Sequence, residues 1–383
     1  MRGSLERRGQ RSWRLKWDLG VDPATGKRVI KRKTARGTKR EAEAELARIL
    51  GAIQGGTYTD PTRITVGELV TKWRDEVAAH EVSAKTFERY AEHADRIISA
   101  LGRIPLTRLQ PLQILEFYGD LRRNGHKRNG GGLSEQTLLH IHKVLTAALT
   151  QAVRWRLIAV NPAADVKPPR PARVEMKTLT ADEMKRLLTA AESSSLYTLT
   201  LLALTTGLRR GELLGLQWRD VDWARRRISV VRTLEETKQG LALKAPKTSR
   251  SARMVPVPEV ALDALRRQQV RLKADRLRAG SAYQDGDLVL ADSVGLPLAP
   301  DAVSKAFIAL ATRAGLKDVS LHSLRHTHVT ELLRSGVNPK VVSERVGHSS
   351  VAFTLQRYGH ALPDMQQDAA DHMQRLVGGL LSQ

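Results

Sequence analysis

Six side chains between Arg209 and Tyr358 are of the types that phosphodiester chemistry requires, and they lie in five short stretches: TTGLRRGE, PKT, HSLRHT, VGH and TLQRYGH. Breaking DNA without water or a metal needs a nucleophile, donors for the charge that develops around phosphorus, and an acid for the departing 5′-oxygen. Losing one pre-aimed donor typically costs ~100–1,000-fold in rate. Arg209 and Arg325 each carry a planar fork that donates two parallel hydrogen bonds to a phosphate. His322 and His348 can bond phosphate oxygens, and His322 can accept the proton of an attacking hydroxyl. Lys247 can hand over a proton, since a lysine in a crowded cationic site loses its proton readily. Tyr358 can attack, although a phenol of pKa ~10 needs neighbours that help remove its proton. Of 6 tyrosines in the chain, this one alone sits in such a context.

Certain elements must hold these groups in place. Leu196–Leu208 is apolar apart from four threonines and fits a buried helix over about 195–206; at 13 residues it is too short to span a bilayer. Gly207 permits a tight turn after that helix and would push Arg209 into a cleft, with Arg210 as a neighbour. His322 and Arg325 are three apart on a predicted helix and share a face. His326 and His328 compete with His322 by composition; His326, adjacent to Arg325, is expected to turn away from its face and to serve structure. Lys247 precedes a strand expected at Arg253–Val257 that partners Arg227–Val231; Lys238 and Lys244 compete with it, and the hairpin register is open. A capping box from Thr180 to Glu183 opens a helix over about 180–191.

Each stretch alone is common. In this order and at these separations they resemble the tyrosine recombinase, or phage integrase, family. HSLRHT matches the family's H-x-x-R-H-T pattern, and VGH its L-G-H segment with Val346 in the usual Leu position. The resemblance implies that Arg209, the first Arg after Gly-Leu, is catalytic, that Glu212 orients the site, and that Lys247 is the general acid on a β-hairpin. It implies a transesterification without metal or cofactor. Tyr358 would form a 3′-phosphotyrosine link and release a 5′-hydroxyl, and a partner strand would reverse the step. The family acts as a homotetramer on two duplexes and passes through a Holliday junction. The C-terminal apolar stripe of Met365, Ala369, Met373, Leu376 and Leu380 is expected to dock on a neighbouring subunit. A chromosome or plasmid dimer resolvase of the same family and a type IB topoisomerase-like enzyme are the competing readings.

The implied fold is multidomain α+β. Residues 178–383 would form a mainly α catalytic domain with a small antiparallel sheet, and 63–162 an all-helical core-binding domain. Capping signals at Thr65 and Ser83, Pro111 and Ser134 mark four helix starts in that module. Lys85, Arg89, Lys127, Arg128 and Lys143 are its candidates for DNA-backbone contacts. Residues 1–58 resemble the arm-binding domain of some phage and transposon integrases, a three-stranded sheet plus helix. Trp13, Leu15, Trp17 and Leu19 alternate with Arg14, Lys16 and Asp18, a second strand covers about Arg28–Lys33, and Thr38–Glu41 caps a helix. Arg14, Lys16, Arg28, Lys31 and Lys33 are the candidate DNA contacts there.

Composition agrees with a polyanionic partner. The formal charge is +23, and residues 1–40 alone hold 14 Lys/Arg against three Asp/Glu. Basic groups gain by releasing counterions condensed on phosphates. The resemblance implies that this partner is double-stranded DNA at attachment sites, with excision or host DNA-bending factors as accessories. The absence of cysteine excludes disulfides, thiolate catalysis and Cys-based zinc sites. The basic N-terminus has no apolar core of a signal peptide, so a cytoplasmic protein, nucleoid-associated when DNA-bound, is expected.

Overall fold

The computed structural model describes residues 3–21, 25–55, 58, 63–125, 130–172, 177–245, 252–359, 362, 370–371, 373–375 and 377. The chain divides into two compact units, Met1–Ala172 and Arg173–Gln383.

The first unit begins with an antiparallel sheet in the order β1 (Gly3–Gly9), β2 (Ser12–Val21), β3 (Arg28–Arg36), followed by α1 (Lys39–Gln54). Alternation in β2 puts Leu15 and Trp17 on one face, where they pack with Ala42 and Ile49 of α1. Thr38 and Glu41 form the reciprocal capping box that starts α1. β1 reads GSLERRG and has no apolar alternation; it is a strand because it pairs with the free edge of β2, Leu5 opposite Leu15. The helical part comprises α2 (Val66–Trp73), a π-helical turn (Arg74–Ala78), α3 (Ala79–Glu81), α4 (Ala84–Leu101), α5 (Pro111–Asn124) and α6 (Glu135–Arg154). Their apolar stripes meet in a separate core that includes Leu69, Ile97, Ile114, Leu138 and Leu145.

The second unit runs α7 (Ala181–Glu192), α8 (Tyr197–Thr206), α9 (Arg210–Leu214), β4 (Val221–Asp222), β5 (Arg227–Val230), β6 (Thr233–Thr237), β7 (Gly240–Lys244), β8 (Arg253–Pro256), α10 (Glu259–Ala279), α11 (Pro300–Arg313), α12 (Leu321–Arg334), α13 (Pro339–Val346) and α14 (Val351–Tyr358). α8 is the central helix. Its leucines join the main core with Leu187, Ile228, Val255, Leu265, Phe307 and Leu324. Two of its buried threonines donate to backbone carbonyls, Thr198 Oγ1 to Ala264 O at 3.2 Å and Thr206 Oγ1 to Leu202 O at 2.5 Å, while Thr200 Oγ1 has no partner among the described residues. The expected pairing of β5 with β8 is present, Ile228 opposite Val255, in a sheet ordered β4-β5-β8. A second hairpin, β6–β7, lies between them in sequence. Its polar residues hid it from periodicity. A smaller core of Val329, Leu333, Val342, Val346 and Tyr358 joins α12, α13 and α14. No helix of the described residues is long and apolar enough to cross a membrane.

Lys247 lies outside the described residues, as do Lys127, Arg128, Met365, Ala369, Leu376 and Leu380.

Candidate active site

Two helix C-termini frame the site. α8 stops at Gly207, whose φ of 66° is left-handed, and a Cβ there would meet His328 Cδ2 at 2.6 Å, so only glycine fits. α13 stops in the same way at Gly347, also with φ 66°. Such ends leave carbonyls without helical partners and carry partial negative charge. Arg325 uses both: Nη1 donates to Gly207 O and Nη2 to Val346 O, each at 2.7 Å. Arg209 Nη2 donates to Gly347 O at 2.8 Å. The first and fourth sequence stretches are thus tied to the third through backbone oxygens.

Arg209 is the N-cap of α9, and its backbone N–H donates to Glu212 Oε2 at 2.9 Å while its Nη1 donates to Oε1 at 2.8 Å. Glu212 also receives Arg253, Nη2 to Oε2 at 2.9 Å. Burial pushes the Glu212 carboxyl up, but the hydrogen bonds and charges of Arg253 and Arg209 outweigh it and hold the carboxyl below its ordinary range. Arg253 went unnoticed in the sequence; the available signal was a basic residue at the first position of a strand that leads into the core. Arg210 turns the other way, to Pro300 O at 2.9 Å and Ser304 Oγ at 2.6 Å.

The histidines and the tyrosine come from α12, from the residue after α13, and from α14. His322 is exposed, and its ring meets that of His326 edge-on at 4.3 Å. His326 is where the structure corrects the sequence reading. It does not turn away: its Nδ1 is hydrogen-bonded to the Tyr358 hydroxyl. The reason is helical geometry, because positions i and i+4 share a face as i and i+3 do, so a face holding His322 also holds His326. His348 Nδ1 meets Thr354 Oγ1 at 2.8 Å, and its ring lies nearly parallel to Tyr358 at 6.1 Å. His328 serves structure, with Nδ1 on Leu204 O at 2.7 Å and Nε2 accepting from Arg345 Nε at 3.1 Å. Thr327 Oγ1 accepts from Leu179 N at 2.9 Å, fastening the chain just ahead of α7.

Burial and the arginine charges keep these imidazoles neutral. His348 is pushed down to about 3, first by burial and then by Arg325 and Arg209. His326 falls to about 3 by burial and then by His322 and Arg357. His322, although open to solvent on one side, is lowered too, first because the protein packed around it partly desolvates the ring and then by Arg325. Tyr358, 3% exposed, is pushed up to about 12 by burial, against the opposing pull of Arg325 and Arg357. Arg325 is 2% exposed and is itself lowered to about 9, by burial and then by Arg209. Lys244, a rival of Lys247, is ion-paired with Glu235.

In the first unit the candidate DNA contacts divide between faces. Arg14 and Lys16 stand opposite Thr34 and Arg32, on the face away from α1. Arg28 pairs with Asp18 on that face, Nε to Oδ2 at 2.8 Å. Lys31 and Lys33 stand opposite Trp17 and Leu15, on the helix side, and Lys33 Nζ reaches Glu45 of α1 at 2.8 Å. Lys31 and Lys33 thus lie on the opposite face of β3 from Arg32, which stands with Arg14 and Lys16. On the helices, Lys85, Arg89 and Lys143 are exposed, and Arg89 and Lys143 both press on His140, so α4 and α6 share a basic face.

Two guanidinium forks, three imidazoles and a phenol thus meet in a mainly helical unit, the equipment of a class that transfers DNA strands. Among the described residues no group of three His, Cys, Asp or Glu could hold a metal ion. Residues 177–365 match the phage integrase family. A "Tyrosine recombinase XerC-like" protein of Caldanaerobacter subterraneus subsp. tengcongensis is 29% identical over 96% of this chain and 97% of its own. The ICEBs1 integrase of Bacillus subtilis is 25% identical over 94% of this chain and 96% of its own. The Tn1549 transposon integrase, solved in complex with transposon right end DNA, matches with a TM-score of 0.68 and 24% identity, over 82% of this chain and 100% of that one. Residues 177–365 form a phage integrase family domain, and the chain is a tyrosine-type site-specific DNA recombinase of the phage or transposon integrase kind.

Proposed function

We propose that this recombinase is the integrase of a mobile element, and that it cuts and rejoins DNA through a 3′-phosphotyrosine at Tyr358. The observation that carries the reading is the Tyr358 hydroxyl held among histidines beside Arg325, whose buried guanidinium has only backbone carbonyls as partners among the described residues. A cation so placed favours an anion next to it. In the reaction, the Tyr358 oxygen bonds to phosphorus as the bond to the 5′-oxygen breaks. Arg209 and Arg325 donate to the nonbridging oxygens, and His348 donates to one of them. The phenolic proton leaves toward His322, and Lys247 supplies a proton to the 5′-oxygen. The phosphate's negative charge offsets the arginine field that depresses the histidines, so the site becomes a better proton acceptor once DNA is bound. The link retains the bond's energy, so a second strand's 5′-hydroxyl can reverse the step without ATP.

The partner is double-stranded DNA at attachment sites, and the working assembly is a homotetramer that passes through a Holliday junction. The Tn1549 integrase, solved on a transposon end, supports a DNA substrate of this kind. Residues 63–162 form the core-binding domain, with Lys85, Arg89 and Lys143 on the phosphate backbone, and 178–383 the catalytic domain. Residues 1–58 form an arm-type DNA-binding domain that reads accessory sites with Arg14, Lys16, Arg28 and Arg32. The XerC-like relative favours a second reading, a dimer resolvase. The basic sheet at the N-terminus favours the integrase.

The test is a suicide duplex nicked beside the cleavage site, cut from DNA that flanks the protein's own gene. The wild-type chain should become covalently trapped on it. Tyr358→Phe should bind the same duplex within about twofold and form no adduct; adducts in that variant would defeat the reading. Trapping on arbitrary sequences would point to a topoisomerase-like enzyme instead.

A further inference from the structure

We infer that His326 is a positioning residue for the nucleophile: its Nδ1 accepts the hydrogen bond of the Tyr358 hydroxyl and so aims the attacking oxygen. This inference rests on the reading of Tyr358 as nucleophile. Geometry carries it. The two rings lie 5.4 Å apart at 39°, and both residues are buried. The ring of Tyr358 is packed in the core of α12–α14, which restrains its centre but leaves its hydroxyl free to choose a partner. Among the described residues the one hydrogen bond that fixes that choice comes from His326. A phenol is the better donor of the pair and an imidazole nitrogen the better acceptor, so the proton stands on oxygen and points to Nδ1.

The other nitrogen strengthens the case. His326 Nε2 is buried without a partner among the described residues. In this tautomer Nε2 carries a hydrogen that no protein group among the described residues receives, an arrangement that is rare in native cores. A residue kept only for packing would not need a buried polar ring here. An imidazole of low basicity also suits aiming better than proton removal. Burial and neighbouring charge push His326 down to about 3 while burial lifts Tyr358 to about 12, so in the resting site the proton stays on the phenol. His322, exposed four residues earlier on the same face, is the group with access to incoming DNA.

Three variants test the assignment. His326→Asn can return an acceptor near the Nδ1 position, His326→Gln places its amide nearer the Nε2 position, and His326→Ala removes both. Single-turnover trapping on the nicked duplex should slow roughly tenfold in His326→Ala, the loss of about one hydrogen bond. His326→Gln should be similarly slow, and His326→Asn should stay within about threefold of wild type. DNA binding should be unchanged throughout. The order Asn above Gln runs against side-chain volume, so a packing role does not produce it. The pH–rate profile of His326→Asn should keep its wild-type limbs. Wild-type trapping by His326→Ala, rates that follow melting temperature, or a limb of the profile lost in His326→Asn would each overturn the proposal. Tyr358→Phe runs beside them: if it forms adducts the nucleophile is wrong, and if it forms none while His326→Ala cuts normally only the positioning role fails.

Discussion

Replacing Glu212 tests whether the arginines of this site are held by one buried carboxylate. Glu212 and Arg253 are each 7% exposed and joined at 2.9 Å. Breaking a buried ion pair by removing one member costs about 3–5 kcal/mol. The Arg209 pair adds little to this, because the Arg209 side chain is 42% exposed and screened by water. For a unit of this size each kcal/mol shifts melting by ~2–4 °C, so Glu212→Ala should lower Tm by roughly 6–20 °C. Arg253 retains its bond to Arg345 O at 2.7 Å, which places the expected loss toward the lower end. The companion is Glu212→Leu combined with Arg253→Met. With the buried charge replaced together with its carboxylate, it should melt higher than Glu212→Ala, even though it changes two residues. Differential scanning calorimetry reads both variants, and trapping on the nicked duplex reads the catalytic effect, expected to exceed tenfold in Glu212→Ala as Arg209 loses its Nη1 partner. The sign with pH also follows. A carboxyl held below its ordinary 4.5 stabilises the fold above that pH, and the contribution is lost as pH falls through the folded value. The gap between wild type and E212Q should therefore be constant near neutrality and close only in acid. A Tm for Glu212→Ala within about 2 °C of wild type, or a double variant no better than the single, would refute the reasoning.

Two further outcomes are expected. Arg32→Ala should weaken binding at accessory arm sites and reduce the salt slope by about 1, as removal of a phosphate contact does, whereas Lys33→Ala, whose ammonium faces Glu45, should leave the slope unchanged; equal slopes for the two would remove the distinction between faces. His326, His328 and His348 are held neutral in the fold, at about 3, 4 and 3, with burial the first cause of each. An unfolded histidine takes up a proton near ~6.5, so the fold should lose stability as pH falls from there toward 4, by up to ~1.4 kcal/mol per pH unit for each; urea midpoints that do not move between pH 7.5 and 5 would count against the burial of these rings.

Much of the architecture was legible because local signals agreed with tertiary need. Thr38, Thr65 and Thr180 all form the capping boxes that their spacing to Glu41, Glu68 and Glu183 announces. α8 was readable as a buried helix because its apolar residues surround it rather than line one stripe. Strand β1 was not readable, since its sequence gains a partner only through the edge of β2. Nor was the β6–β7 hairpin, whose strands TLEET and GLALK are short and leave both leucines of β7 exposed. At the site, residue types and order pointed to Arg209, Arg325, His348 and Tyr358, which the fold brings together. Which residues touch depended on rotation about a helix axis. The reading of His326 failed because adjacency to Arg325 was weighed and the four-residue spacing from His322 was not. The face that Lys31 and Lys33 take was hidden for the strand equivalent of the same reason: in a half-buried sheet one position changes the face.

The two principal arginines are held on unequal terms, and the inequality has a chemical consequence. Arg209 shares the charge of Glu212, so its local field is partly neutralised before any ligand arrives. Arg325 has the carbonyls of Gly207 and Val346, which supply geometry and only fractional charge. Burial and the neighbouring Arg209 push Arg325 down to about 9, a sign that its charge lacks compensation. An incoming phosphate therefore gains more beside Arg325 than beside Arg209. The same asymmetry explains why both left-handed glycines belong to the reacting centre although neither has a side chain. Gly207 and Gly347 end two helices so that their last carbonyls face the guanidinium forks. Moving either carbonyl would re-aim an arginine, and a fork displaced by about 1 Å no longer meets the oxygens where charge develops.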